Sequence, residues 1–293
     1  MSHAIRPRRS MLYVSADNPP HLEKARALHA DSLVFDLYES VAPERKAQAR
    51  DNLVATLRVG GFRGQELVGR VNPLDSLWGA EDLAAVARLE LDALLFPGVE
   101  SGAQLRAAVE QLDQAGGGRL PVMAMIETPL AVLHAEEIAA ASERLCCLVM
   151  NTATLASALH INGSPDRIGL LASLGLVVLA ARAHHRAVVD GAHLDLKEAQ
   201  TCEFSCRQAR ELGFDGKTVI HPVQLPYTND AFTPRPKELD KARAVIQAMK
   251  AAQEAGKPYG VLDGRLLQPV ELESARGMLA LYEAISTREA AFH

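Results

Sequence analysis

Apolar residues gather in eight short runs, at residues 11–14, 33–35, 67–69, 93–96, 122–126, 146–150, 187–189 and 218–220. Each run is closed by a polar or turn residue: Ser15, Asp36, Arg70, Pro97 with Gly98, Glu127, Asn151, Asp190 and His221. A helix-length stretch follows nearly every one, and residues 44–57 and 101–112 place Ala, Leu and Val at helical spacing against a charged face. Alternating strand and helix predicts a parallel sheet, and eight repeats predict its closure into a (β/α)8 barrel. In that architecture the residues just past each strand face one shared mouth, where barrel enzymes keep their chemistry. Asp36, Arg70, Glu127, Asp190 and His221 are therefore expected to converge although they lie far apart in sequence.

The pattern changes after His221-Pro222. Residues 225–235 are rich in Pro, Thr and Asn and read as a loop. Pro236 then opens a long amphipathic helix to Ala255, which Gly256-Lys257-Pro258-Tyr259-Gly260 breaks. Val261-Leu262-Asp263-Gly264-Arg265 reads as a hairpin-like turn, and residues 271–284 as a last helix. The expected division is a barrel over residues 1–235 and a C-terminal helical extension over 236–293. Being beyond the eighth strand, the extension packs on the barrel exterior or reaches another subunit.

Composition narrows the partners. A chain of 293 residues with 48% hydrophobic content can bury one large core. The formal charge of −5 and the scattered Lys and Arg residues argue against nucleic acid. The longest apolar stretch, residues 168–183, is interrupted by Ser173, Gly175 and Arg182 and falls short of the ~20 residues a membrane span needs. The basic segment up to Arg9 has no apolar region behind it, so no signal peptide is read and a cytoplasmic location is expected. Four cysteines do not make a disulfide framework. Cys146 and Cys147 are neighbours in a predicted strand and should face opposite ways. Cys202 and Cys206 share a helix face, but no second pair at ligand spacing accompanies them, so all four are read as buried apolar filler. The glycines at 116–118 lack the Lys-Ser or Lys-Thr of a phosphate loop.

Several motifs occur in one order: Arg9-Ser10-Met11-Leu12-Tyr13-Val14, Phe35-Asp36-Leu37-Tyr38-Glu39-Ser40-Val41-Ala42-Pro43, Arg70-Val71-Asn72, Ile126-Glu127-Thr128-Pro129, Gly213-Phe214-Asp215-Gly216-Lys217, Ile220-His221-Pro222 and Leu262-Asp263-Gly264. With them the chain resembles the citrate lyase beta-subunit-like branch of the HpcH/HpaI aldolase superfamily, nearly end to end. The resemblance implies a (β/α)8 barrel, often trimeric, that cleaves 3-hydroxyacyl-CoA thioesters such as citryl-, malyl- or citramalyl-CoA. It implies a magnesium ion held by a Glu and an Asp, here Glu127 and the position of Thr154, and an Arg, here Arg70, that binds the keto-acid fragment. It also implies that Asp263 enters a neighbouring subunit's mouth as acid or base.

The chain departs from that pattern around the mouth. Where the family resembles Gly-x-x-Asp-Leu-Ala-x-Asp-Leu-Gly, residues 151–160 read Asn-Thr-Ala-Thr-Leu-Ala-Ser-Ala-Leu-His. The family's Leu-Glu-Asp is Leu37-Tyr38-Glu39, its Pro-Lys-Val-Glu-Ser is Pro97-Gly98-Val99-Glu100-Ser101, and its Val-Pro-Gly is Val14-Ser15-Ala16. A neutral hydroxyl at 154 removes half the protein charge available to magnesium.

Each residue has a chemical role to fill. Carbon–carbon cleavage leaves a thioester enolate and a keto acid, and both need fixed positive charge. Arg70 offers a planar, bidentate match to a carboxylate. Glu127 would hold the metal or pair with Arg70, with Asp36 and Glu39 as acceptors for metal-bound water. His221 would line the substrate or CoA site, and Asp190 and His193 rank behind it. The leading expectation is a carbon–carbon lyase acting on an acyl-CoA thioester, in a homo-oligomer with a trimer favoured. Its alternatives are an acyl-CoA thioesterase using Asp263 as base, and a non-catalytic CoA-thioester-binding homologue without its metal.

Overall fold

The computed structural model describes residues 5–197 and 199–292. The chain forms two compact units: Arg8–Phe232, and described residues 233–292 together with 5–7.

The first unit is a closed eight-stranded parallel barrel of β1 (Ser10–Ser15), β2 (Ser32–Asp36), β3 (Glu66–Arg70), β4 (Ala93–Phe96), β5 (Val122–Ile126), β6 (Leu145–Met150), β7 (Ala187–Asp190) and β8 (Gly216–Val219). Every predicted apolar run lies in or overlaps one of these strands. Side chains alternate across each strand. Met11, Val34, Val68, Leu95, Met123, Met125, Cys147, Val149 and Val189 pack inside the barrel. Their neighbours, such as Leu12, Leu33, Phe35, Leu94, Phe96 and Leu148, pack with the surrounding helices in a second, larger cluster. Closure between β1 and β8 depends on Gly216, because a Cβ there would lie 1.7 Å from the Arg8 carbonyl oxygen.

Three details differ from the sequence reading. The register shifts between Val122 and Met123, so Leu145 and Cys147 pair with consecutive residues. Cys146 therefore packs toward the same interior cluster as Cys147 rather than away from it. The expected loop at 225–235 contains the helix Leu225–Phe232, since Leu225, Thr228, Ala231 and Phe232 are buried at helical spacing and Pro226 sits in the first turn, where it costs no hydrogen bond. The last helix is longer than expected, Pro269–Ala290.

In the second unit that helix packs with Pro236–Glu254 around Ala242, Val245, Leu267 and Ala275. Between them β9 (Val261–Leu262) and β10 (Arg265–Leu266) form an antiparallel hairpin. Among the described residues no helix is long and apolar enough to cross a membrane.

Candidate active site at the barrel mouth

The same alternation decides which strand-end residues meet. Met11, Val34, Val68, Met125 and Val149 point inward, so the residues two further on, Tyr13, Asp36, Arg70, Glu127 and Asn151, point inward as well. They form one cluster at the end of the barrel. A cavity of about 440 Å³ opens above it, lined among others by Tyr13, Asp36, Glu39, Arg70, Asn151 and Thr154.

Arg70 is the centre of this cluster and is almost fully buried. Its Nη1 lies 3.6 Å from Asp36 Oδ1 and its Nη2 2.9 Å from Glu39 Oε2. Nη2 also lies 3.4 Å from the Met125 sulfur. The guanidinium carbon lies over two rings, 5.4 Å from the centroid of Tyr13 and 4.9 Å from that of Tyr38. Burial opposes its charge, and Tyr13, Asp36 and Glu39 outweigh that opposition and raise its pKa further above its ordinary value. Its buried Nε has no hydrogen-bond partner. Burial raises the Tyr13 phenol, only partly countered by Arg70, and it raises Tyr38 too, with Glu127 and Glu39 adding to the effect.

The carboxylates around Arg70 are held from the backbone. Asp36 accepts from the N–H groups of Tyr38 and Ser40, both at 2.9 Å, which curls the chain after β2 back over the mouth. Lys46 fastens the same turn: its ammonium donates to the carbonyls of Leu37 and Tyr38 at 2.9 and 2.7 Å and to Asn72 Oδ1 at 2.7 Å. It lies over the rings of Tyr38 and Trp78. Burial lowers the Lys46 pKa, with Asp36 and Asp82 opposing. Glu127 accepts from Gly98 N–H at 2.7 Å and from the Asn151 side-chain amide at 3.0 Å. Gly98 has φ +68°, a left-handed conformation that favours glycine and here turns its N–H to Glu127. Thr128 caps the short helix Pro129–Leu133, its hydroxyl accepting from Ala131 N–H.

Two members of the expected set fall outside this cluster. Val189 points into the barrel, so Asp190 points outward, where it is fully buried against Lys217 Nζ at 2.6 Å and Arg167 Nη1 at 2.7 Å. The parity of β7 overrides the strand-end rule there. His221 caps the 3₁₀ turn Pro222–Gln224, its Nδ1 accepting from Val223 N–H at 3.2 Å. It lines a second cavity, about 290 Å³, which shares Tyr13, His21 and Ile220 with the first. Asp263 belongs to the other compact unit, exposed at the β9–β10 tip with φ 51°. Sequence reasoning gave no role to Tyr13, Tyr38, Lys46 or the Asn151 side chain; for Tyr13 and Asn151 the alternation along β1 and β6 was the available signal.

The donors at the mouth do not fit a magnesium ion held by two carboxylates. Thr154 is neutral, and its backbone N–H is capped by Asn151 Oδ1 at 3.3 Å. Each Glu127 oxygen accepts one hydrogen bond from the protein, and the amide on one of them stands on the side facing Thr154's helix. Among the described residues no three His, Cys, Asp or Glu side chains come together as a metal site.

Known proteins share this sequence and this fold. Residues 9–222 match the family described as HpcH/HpaI aldolase/citrate lyase. A (3S)-malyl-CoA thioesterase of Cereibacter sphaeroides is 40% identical over 286 residues, covering 98% of each chain. The citrate lyase subunit beta of Escherichia coli is 32% identical over 290 residues, covering 97% of this chain and 96% of its own. The crystal structure of CitE from Mycobacterium tuberculosis, in complex with magnesium, acetoacetate and coenzyme A, superposes with a TM-score of 0.76 at 28% identity, covering 95% of this chain and all of its own. With its barrel, its ordered motifs and these relatives in agreement, the chain belongs to the HpcH/HpaI aldolase/citrate lyase family.

Proposed function

We propose that this protein hydrolyses a short 3-hydroxyacyl-CoA thioester whose acyl group carries a free carboxylate, of the malyl-CoA type, to the hydroxy acid and CoA. The observation that carries this reading is Arg70: a buried guanidinium at a cavity, lying over the rings of two tyrosines, with Nε unpaired and one of its two carboxylate partners exposed. Such a fork recognises a planar carboxylate. Glu39, about half exposed, is the partner an incoming carboxylate displaces, because an exposed ion pair contributes only about 0–1 kcal/mol. Asp36 stays, tied to two backbone N–H groups.

With the acyl group held there, water attacks the thioester carbonyl carbon, the C–S bond breaks and CoA leaves as the thiolate. Glu127 is the carboxylate at the mouth that accepts the proton of that water, using lone pairs beyond those engaged by Gly98 and Asn151. Asp263, on an exposed hairpin tip, is proposed as a second acid or base supplied by a neighbouring subunit, in keeping with the family resemblance. The malyl-CoA thioesterase similarity over nearly the whole chain supports hydrolysis.

The similarity to citrate lyase subunit beta favours carbon–carbon cleavage as the second reading. Product analysis separates the two. Incubation with (3S)-malyl-CoA and citramalyl-CoA should release free CoA thiol and the intact hydroxy acid. A keto acid or glyoxylate with acyl-CoA would reject hydrolysis in favour of the lyase, and no turnover with retained binding would leave a non-catalytic thioester-binding protein.

A further inference from the structure

Three carboxylates, Asp36, Glu39 and Glu127, stand at the mouth with one arginine, without closing into a three-carboxylate cation site. Here all six of their oxygens have a donor from the protein itself. Asp36 takes the N–H groups of Tyr38 and Ser40. Glu39 takes Arg70 on one oxygen, at 2.9 Å, and the Asn151 amide on the other, at 3.4 Å. Glu127 takes Gly98 N–H at 2.7 Å and the same Asn151 amide at 3.0 Å. One –NH2 group therefore bridges Glu39 and Glu127, with two donor hydrogens to serve both.

The amide is also anchored from its other end. Asn151 Oδ1 accepts from Thr154 N–H, the first-turn contact of the helix Thr152–Ala158, so Nδ2 is the end left to face the carboxylates. A divalent cation between Glu39 and Glu127 would have to displace that amide and break the cap, and its neighbour on the helix offers only the Thr154 hydroxyl. Mg²⁺ needs near-octahedral oxygen donors and gives up its water reluctantly, so a single free carboxylate face is a poor host.

We infer that the Asn151 side-chain amide stands in for a divalent cation at this mouth, bridging Glu39 and Glu127, so that the protein binds no catalytic divalent metal there. Asn151 is thus a positioning residue: it keeps Glu127 oriented through hydrogen bonds, and Thr154 is the accompanying loss of a ligand. The inference concerns cation binding and is independent of whether the reaction is hydrolysis or cleavage.

The test is a titration of the purified full chain with Mn²⁺, followed by the loss of the free-ion EPR signal, beside an Asn151→Gly/Thr154→Asp double variant. The parent should leave the signal unchanged, whereas the double variant should bind at least about tenfold more tightly, the size expected when the groups around a metal are altered. Stoichiometric uptake by the parent overturns the inference, as does a folded double variant that binds no better than the parent. If the double variant does not fold, Thr154→Asp alone serves in its place, and the parent titration still decides the first point.

Discussion

The two ends of the barrel both bury arginines against carboxylates, and they use them differently. At the end where the strands begin, Arg8 meets Glu66 through Nε and Nη2 at 2.8 and 2.7 Å, and Ser32 adds a third donor at 2.7 Å. Arg9 beside it meets Asp31 through Nε and Nη2, both at 3.0 Å, while its backbone N–H donates to the same carboxylate at 2.8 Å. Each is a closed fork-to-fork pair away from the described cavities. At the mouth Arg70 divides its charge between a distant Asp36 and a half-exposed Glu39 and keeps Nε without an acceptor. Saturated pairing marks a structural arginine; an unsaturated guanidinium beside a cavity marks one with a ligand still to bind.

Replacing one arginine at each end gives the largest effects and the sharpest break in this comparison. Arg9→Met takes the guanidinium from the buried Asp31 carboxylate while leaving the backbone N–H of residue 9 in place, and should lower the unfolding free energy by about 3–5 kcal/mol in a urea titration. Arg70→Met should instead reduce kcat/KM by roughly 10–10²-fold, as loss of charge-assisted hydrogen bonds to the substrate carboxylate worth about 1.5–3 kcal/mol does, with a much smaller shift in the urea midpoint. If Arg70→Met unfolds the protein and Arg9→Met spares it, the assignment of roles is reversed.

A smaller effect is expected at Glu39. If its carboxylate competes with the substrate's for Arg70, Glu39→Gln should lower KM by a few-fold, about what 0–1 kcal/mol of exposed ion pairing allows. A rise in KM would mean that Glu39 holds Arg70 in its binding geometry rather than occupying its place.

The smallest expected effect lies among the helices, beside the buried Asp190–Lys217–Arg167 cluster. His193 donates to or accepts from the Thr201 hydroxyl at 3.0 Å. Burial, then Lys217 and Arg167, push its pKa below the ordinary 6.5, against Asp195. Because the folded state holds the proton less tightly than the unfolded one, stability should fall as pH drops through the region just below 6.5 and recover as it rises. His193→Gln should flatten that slope in melting curves recorded across it, and an unchanged slope would place the titration elsewhere.

Much of this was legible in the chain. Eight apolar runs with polar ends are enough for a parallel barrel, because a strand buried on both faces must be apolar throughout and must stop where the mouth begins. Asp36, Arg70 and Glu127 could be named from that rule with the ordered motifs. The rule failed at Asp190, since being the last residue of a strand does not say which face it takes. That depends on parity, and in β7 Val189 already holds the inward position. The loop expected at 225–235 failed for a related reason: its prolines and polar residues mask a helix whose buried side depends on Leu225, Ala231 and Phe232 having a barrel to pack against.

By itself, then, the sequence determined the strand and helix order, the charge types available at the mouth and the departures at Asn151 and Thr154, because these rest on local periodicity and residue identity. Tertiary structure alone decided that Tyr13 and Tyr38 enclose Arg70, that Lys46 fastens the turn beside it and that one Asn151 amide joins Glu39 to Glu127. Residues from five strands' ends become neighbours only when the sheet closes, and hydrogen-bond partners are chosen at that distance, not along the chain.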